Sequence, residues 1–493
     1  NRHSVICKLK YKEILEIREG CRPLTDFAYI LNTLKEKGEI KNIIDENKIR
    51  RINPKDQQYI LPEDIRWSLT GAMSIGKTTA VVNYIMEETP KKIDGPFKTL
   101  LIVTRITQAI NFKGVYPGMI SYLDVDEIHD KNTVVVCINS LSKVIDHEKK
   151  TFPQYDLLIV DEVEAIIEGL ISTMLSGSKS KQCNIWKLFK TLLWTSSNVL
   201  FMDGIMTSRT AMFLERLNIL KGCYLVQHEA QPDYRTYINY VNGDNFNEVF
   251  IEDCKNGKKV CLVSNCKNSL YKYVKMSCVD SDNRLTISGD SSKEEKLTSA
   301  DPNIEWTKDL LAFNTAVGPG ASYNVLHYEI MYVVISPFSC TPYSTYQMIN
   351  RIRKLTSGNV RMFILHSETK PVPSKEELKL SKSVNISSFQ ERGNTFPMDI
   401  YCRMDGDYYK IDINTIDHSL LKKYVKEKHL VVDHEDNTFI DTLVDYEHEK
   451  LRFNSREHYK NTLFEIIERN GGKIVGMKND TESSNKVLKQ TSA

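Results

Sequence analysis

The chain is 493 residues long and 41% hydrophobic, and its 66 basic and 64 acidic residues leave a formal net charge of +2. That length has room for about three domains, and the near-neutral balance excludes a globally basic nucleic-acid binder, so any surface for a polyanion must be a local groove. No run approaches the roughly 18 apolar residues of a membrane-spanning helix, no signal-peptide pattern opens the chain, and eleven cysteines are scattered and never spaced C-x-x-C, as expected of a reduced intracellular protein without a zinc ribbon.

Residues 1–60 mix apolar and charged side chains and predict an N-terminal accessory region of mostly helices. The chain starts at Asn1 without an initiator Met, which fits an excised piece of something longer. Residues 65–70 then alternate apolar and polar as a strand does, and residues 78–88 read as a helix that stops before Pro90. Between them lies Gly71-Ala72-Met73-Ser74-Ile75-Gly76-Lys77-Thr78, a complete G-x-x-x-x-G-K-[ST] phosphate loop in strand, loop, helix order. Gly71 and Gly76 permit a tight turn whose amide N–H groups, Ser74 and Thr79 among the residues supplying them, face phosphate oxygens at a helix N-terminus. The Lys77 ammonium then reaches the β- and γ-phosphates of ATP, and the Thr78 hydroxyl ligates Mg²⁺.

Short β-rich runs separated by helical patterns follow at residues 99–104, 133–138, 157–160 and 198–202. They predict a parallel sheet covered on both faces, one RecA-like α/β domain over residues 61–228. The run Leu157-Leu158-Ile159-Val160 is followed by Asp161-Glu162-Val163-Glu164, so a buried strand presents Asp161 to the metal while Glu162 is placed to orient or deprotonate the attacking water. Loop and acidic motif together specify a motor-type ATPase.

After a polar connection near residues 227–245 the pattern starts again. Strands are predicted at 259–264, 284–290, within 303–313, and at 327–335 and 360–365, giving a second α/β sheet over residues 229–370 without a phosphate loop. Such a domain suits a partner that closes on ATP held by the first. From residue 371 the character changes: Lys370-Pro371-Val372-Pro373 and the serine- and lysine-rich stretch to Ser388 read as a linker or surface extension. Ser455 is a candidate cap for a helix with Tyr459, Leu463, Phe464 and Ile467 on one stripe, ending at Asn470-Gly471-Gly472 before a short strand at 473–477. Residues 371–493 are thus read as a C-terminal accessory domain with a polar tail, whose simplest role is to pack on the motor.

Over about residues 60–370 the chain resembles a superfamily 2 helicase. The segments that carry the resemblance beyond the loop and acidic box are Ile102-Val103-Thr104-Arg105, Ile138-Asn139-Ser140-Leu141, Phe201-Met202-Asp203-Gly204, Val263-Ser264-Asn265, Gly318-Pro319-Gly320 and Gln347-Met348-Ile349-Asn350-Arg351-Ile352-Arg353. Within that superfamily they look closest to the herpesvirus replication-origin-binding protein helicases, which also occur in large cytoplasmic DNA viruses. The resemblance implies two tandem RecA-like domains that share Mg-ATP, with Gln347, Arg351 and Arg353 catalytic and Gly320 near the nucleotide. It implies nucleic-acid contacts at Thr104, Arg105, Asn139, Ser140, Ser264, Asn265 and Thr315. Gln347 is expected one turn before Arg351 on the same helical face. Arg353 stands two residues after Arg351 where most of the superfamily has three, and Asn350 replaces a common Gly, so either arginine could be the finger. The implied function is an ATP-dependent DNA helicase in viral DNA replication, in the host cytoplasm or at a viral replication site. Its partners would be single-stranded or forked DNA, with RNA left open, and replication proteins, with no membrane. A double-strand translocase that does not unwind, and an origin-binding protein with a regulatory ATPase, are the alternatives.

Overall fold

The computed structural model describes residues 27–52, 67–71, 77–88, 95–116, 118–148, 151–171, 179–228, 233–292, 295, 298–317, 321–337, 339–365, 400–404, 407–411 and 459–476. Apolar runs become strands: β1 (Ile49–Ile52), β2 (Trp67–Gly71), β3 (Thr99–Val103), β4 (Ile120–Ser121), β5 (Thr133–Cys137), β6 (Leu157–Asp161), β7 (Asn198–Asp203) and β8 (Tyr224–His228). They form one sheet in the order β1-β8-β2-β7-β6-β3-β5-β4, parallel throughout. Every residue of β3, β5 and β6 is buried, which is why these segments read as unbroken hydrophobic runs and not as alternating ones. Helices α1 (Phe27–Glu36), α2 (Lys77–Glu88), α3 (Ile106–Val115), α4 (Val163–Ile171), α5 (Lys179–Thr195) and α6 (Ser208–Arg216) accompany the sheet.

The expected division at residue 60 meets a different arrangement. Phe27, Ala28, Leu31 and Leu34 fall on one stripe of α1 and are buried in the core of the first sheet. The Phe27 N–H donates to Gln227 Oε1 at 3.0 Å, and Glu215 Oε1 accepts from the Lys41 and Asn42 N–H groups at 2.8 and 3.2 Å. β1 then satisfies the open edge of β8, pairing Ile49 with Leu225. Residues 27–52 therefore belong to the first unit, because a free strand edge and an amphipathic stripe find their partners there.

The second sheet holds β9 (Thr236–Tyr240), β10 (Val260–Ser264), β11 (Arg284–Ile287), β12 (Leu310–Phe313), β13 (Ile330–Ile335), β14 (Asn359–Ile364) and β17 (Lys473–Gly476), in the order β11-β12-β10-β13-β14-β9-β17 and again parallel. Cys261 and Val263 face one core with Met331 and Val333, while Val260 and Leu262 face another with Tyr332 and Val334, the two-residue period of a strand buried on both faces. β9 and the end of β8 lie where the sequence predicts a polar connection. The run Thr-Tyr-Ile-Asn-Tyr carries enough polar atoms to read as a loop, yet Tyr237 and Tyr240 are buried. The longer helices are α7 (Gly243–Lys255), α8 (Lys267–Met276), α9 (Pro342–Ile349) and α10 (Tyr459–Arg469), and a single helical turn spans Pro302–Glu305.

The helix predicted near residue 459 is α10, and Tyr459, Leu463 and Ile467 enter the second core as their shared stripe requires. Its turn into β17 needs glycine: a Cβ on Gly472 would meet Ile467 Cγ2 at 2.6 Å and Tyr237 Cε2 at 2.9 Å. β17 extends the sheet beside β9, so residues 459–476 complete the second unit. β15 (Ile400–Met404) and β16 (Asp407–Ile411) form a separate antiparallel pair, while Ser455, the linker at 370–388 and the tail from 478 lie outside the described residues. Among the described residues no helix is long and apolar enough to cross a membrane.

Candidate nucleotide and nucleic-acid site

Since all strands of the first sheet point the same way, their carboxyl ends share one edge, the place where open parallel sheets bind ligands. Gly71 at the end of β2 pairs with Asp203 at the end of β7, and Asp161 at the end of β6 pairs with Met202. Lys77 opens α2, and its Nζ donates to the Asp203 carbonyl at 3.0 Å. Thr79 is exposed on the same first turn. Ser74, Gly76, Gly320 and the Thr78 side chain lie outside the described residues.

Three carboxylates crowd this edge. Burial, then the Glu162 charge, pushes the Asp161 carboxyl up to about 7 against the pull of Lys77 and Arg351. Asp203 is held well above the usual carboxylate range by burial and by Glu162 and Glu164. Glu162, half-buried between β6 and α4, has φ of +57°, a left-handed conformation that a residue with a Cβ adopts at a cost. Strain and crowded charge at one point mark a candidate functional site. Among the described residues no three His, Cys, Asp or Glu side chains are grouped to hold a metal ion, and Asp161 offers a single carboxylate that a divalent cation would relieve.

Asp203 is central to the site, although the sequence marks only the segment around it. Its Oδ1 accepts from the Ile205 N–H at 2.9 Å and from Gln347 Nε2 of the second unit at 3.4 Å, and its Oδ2 accepts from the Glu164 N–H at 2.8 Å. Glu164, last of the acidic box, is structural. Its Oε1 accepts from the Thr207 N–H and Oγ1 at 2.7 and 2.8 Å and from Thr210 Oγ1 at 2.5 Å, and its Oε2 accepts from Arg209 Nε at 2.9 Å. The acidic box is thereby fixed to the turn after β7.

Facing these groups is the end of α9, and here one expectation is corrected. The helix stops at Ile349, with Asn350 as its C-cap, so Gln347 and Arg351 do not share a helical face. Instead Ile352 bridges to Tyr323, and the Tyr323 N–H donates to the Arg351 carbonyl at 2.8 Å, which turns the chain out of the helix. Both side chains still face the first unit. Burial lowers the Arg351 guanidinium while Glu162, Asp161 and Asp203 draw it up, and its Nε is buried without a hydrogen-bond partner among the described residues. Arg353 is pushed down to about 10, chiefly by burial and then by the Arg351 and Arg235 charges, and its Nε donates to Ser322 Oγ at 3.1 Å. Of the two arginines, Arg351 has the carboxylates of the first unit as its principal partners, and its unmet donor suits a phosphate oxygen.

No motif in the sequence marks Arg235, yet it holds this turn. It donates through Nη1 to the Ile349 and Ile352 carbonyls at 3.4 and 3.3 Å and through Nη2 to Asn350 Oδ1 at 2.5 Å, while Asp233 accepts from its Nε and Nη2, each at 2.8 Å.

The expected strand contacts divide. Thr104, 7% exposed with its hydroxyl donating to Gln108 Oε1, and exposed Arg105 follow β3, half-buried Asn139 and Ser140 follow β5, and exposed Thr315 follows β12. Ser264 and Asn265 do not fit the contact role. Ser264 is 0% exposed, and its hydroxyl donates to the Cys266 carbonyl and accepts from the Cys266 N–H. Asn265 is 5% exposed, with Oδ1 accepting from the Ser336 N–H at 2.7 Å and Nδ2 donating to the Ser336 carbonyl at 2.9 Å and to Tyr459 OH at 3.4 Å. Their hydrogen-bonding capacity is spent joining β10, β13 and α10.

The family described as "Origin of replication binding protein" matches residues 68–229 and 204–434. The putative replication origin-binding protein of Acanthamoeba polyphaga mimivirus is 25% identical over 309 residues, covering 60% of this chain and 37% of that protein. The replication origin-binding protein of Human herpesvirus 6A (strain Uganda-1102) is 25% identical over 309 residues, covering 59% and 37% respectively. The putative helicase/primase complex protein of African swine fever virus (strain Badajoz 1971 Vero-adapted) is 22% identical over 292 residues, covering 58% of this chain and 27% of that protein. This chain thus spans little more than a third of these relatives' length, or less. Among solved structures, S. cerevisiae Dbp5 bound to RNA and ADP BeF3 is similar at a TM-score of 0.46 and 14% identity, covering 74% of this chain and 90% of that one. The DEAD-box helicase Mss116 bound to ssRNA and UDP-BeF is similar at 0.46 and 11%, covering 90% and 91%.

Proposed function

From the premise that the chain belongs to the origin of replication binding protein family, we propose that it is an ATP-dependent DNA helicase acting in viral DNA replication. The observation that carries this reading is the meeting of two units at one edge: Gln347 Nε2 reaches Asp203 Oδ1 at 3.4 Å, and the charges of Glu162, Asp161 and Asp203 act on the buried Arg351 guanidinium. A nucleotide bound there would touch both sheets, so its binding and hydrolysis would change how they sit together.

Each side chain has a role in that chemistry. Lys77 and Arg351 would set positive charge about the phosphates, which phosphoryl transfer requires as charge spreads onto the γ-oxygens. Asp161 and Thr78 would hold Mg²⁺, which screens the same phosphates when bound. Glu162 accepts a proton from, or orients, the attacking water. Gln347 reports the state of the first unit to the second through Asp203. Thr104, Arg105, Asn139, Ser140 and Thr315, all at strand ends, are the groups for a sequence-tolerant grip on a phosphate backbone. The names of the viral relatives, replication origin-binding and helicase/primase complex proteins, support a replication role inside the infected cell, with single-stranded or forked DNA as the partner.

Displacement of a labelled strand from forked DNA tests the reading. Wild type with Mg-ATP should release the strand, and Lys77→Ala should not. ATP hydrolysis without release would favour a double-strand translocase, and tight preference for one DNA sequence without release would favour an origin binder with a regulatory ATPase.

A further inference from the structure

Gln108 lies on the first turn of α3, 1% exposed, and its carboxamide joins two places that belong to different tasks. Its Oε1 accepts from the Thr104 N–H at 3.1 Å, the Thr104 hydroxyl at 2.8 Å and the Arg105 N–H at 3.1 Å. Its Nε2 donates to Asp161 Oδ2 at 3.3 Å. Backbone N–H groups can only donate, so the side-chain oxygen must face the turn and the amide nitrogen must face Asp161.

A glutamine at this helix position commonly accepts one bond from the N-cap backbone and does nothing more. Two features go beyond that. The amide nitrogen crosses from β3 to the end of β6, and the oxygen has two lone pairs for three donors, so one donor is surplus. The surplus donor is the Thr104 hydroxyl, the one group of the three that can rotate. A phosphate oxygen accepting from that hydroxyl leaves Gln108 with two backbone bonds and no unmet partner. Occupying the turn therefore resets the bonds on the same carboxamide that braces Asp161.

We propose that Gln108 is a positioning residue that couples the nucleic-acid contact turn at Thr104 and Arg105 to the nucleotide site at Asp161, so that each ligand changes the affinity for the other. The proposal rests on the helicase reading and names the residue through which its two sites communicate. Coupling of this kind is reciprocal and is read from equilibrium binding alone, without turnover.

The experiment is fluorescence anisotropy of a labelled single-stranded oligonucleotide, titrated with the full chain with and without saturating Mg-AMP-PNP. The ratio of the two dissociation constants is the coupling factor, and a general loss of either affinity cancels from it. Wild type should show a factor of at least about five in either direction. Gln108→Met, equal in length and without hydrogen bonds, should bring it within about twofold of unity. Thr104→Val, which deletes only the surplus donor, should lower the factor without abolishing it, and it serves where Gln108→Met does not fold. Wild-type coupling in either variant overturns the proposal while leaving the helicase reading intact. A wild-type factor of one overturns the proposal, and the helicase reading then stands or falls on strand release from forked DNA.

Discussion

The two units are built on the same kind of parallel sheet, yet their strand ends are chemically opposite. In the first, the ends of β6 and β7 carry buried carboxyl groups pushed upward in pKa, a strained Glu162, and a lysine resting on a backbone carbonyl. In the second, the end of β10 carries Ser264 and Asn265, each buried and bonded within the unit. A position at the end of a strand does not by itself make a site. What separates the two is charge: one edge crowds buried carboxyl groups against one another, and the other holds neutral polar groups bonded within the unit.

The contrast is sharpest at the arginines. Arg351→Ala should lower DNA-stimulated hydrolysis by about 10³ to 10⁵, and Arg353→Ala by much less, because the Arg353 Nε is already bonded to Ser322 and Glu162 is the least of the charges acting on it. Equal losses in steady-state assays would break the distinction. Glu162→Gln should lower hydrolysis by about 10² to 10⁴ while fluorescent-nucleotide binding persists, and a loss of binding instead would make Glu162 a ligand to the nucleotide and not to its water. On the internally bonded side, Asp233→Asn leaves the Arg235 guanidinium buried beside a weakened partner and should destabilise the second unit by about 3–5 kcal/mol in urea unfolding. A near-zero change would mean that the arginine turn is held by something else. Asn265→Ala should cost about 1–3 kcal/mol of stability and leave DNA affinity nearly intact, whereas Asn139→Ala should weaken DNA binding. The reverse pattern would exchange scaffold and site.

The smallest effect concerns pH. In the absence of metal Asp161 has a folded pKa of about 7, raised from 3.8, so the folded state binds a proton more tightly than the unfolded one. Its contribution to stability is fully present below the unfolded value and is lost as pH rises through the folded one. Asp161→Asn should flatten the fall in stability between those two values and melt about 2–4 °C higher at mildly alkaline pH, although it removes the metal ligand. An unchanged pH slope in calorimetry would show that the carboxyl is not confined as described.

Much of the fold was legible because parallel core strands announce themselves: the fully buried run Thr-Val-Val-Val-Cys of β5 has no other reading. β9 was hidden, because its polar side chains read as a loop until the folded chain supplies a partner such as Asp233 for the Tyr237 hydroxyl. The attachment of residues 27–52 to the first sheet was hidden for a related reason, since the open edge of β8 cannot be seen along the chain. In the site, the acidic box was marked by its motif, and the two arginines only by the family resemblance. Neither could tell that Asn350 ends the helix, that Arg235 holds the turn beyond it, or that Asn265 spends its amide on Ser336, because each depends on contacts between residues far apart in sequence.

The central claim is that one nucleotide site, shared by two units, answers to nucleic acid. Steady-state ATP hydrolysis with and without single-stranded DNA, for wild type beside Lys77→Ala, tests it most directly. Strong stimulation by DNA in wild type, with hydrolysis lost in the variant, is the result predicted here. Hydrolysis indifferent to DNA would contradict it and leave an ATPase whose two units do not work as a motor.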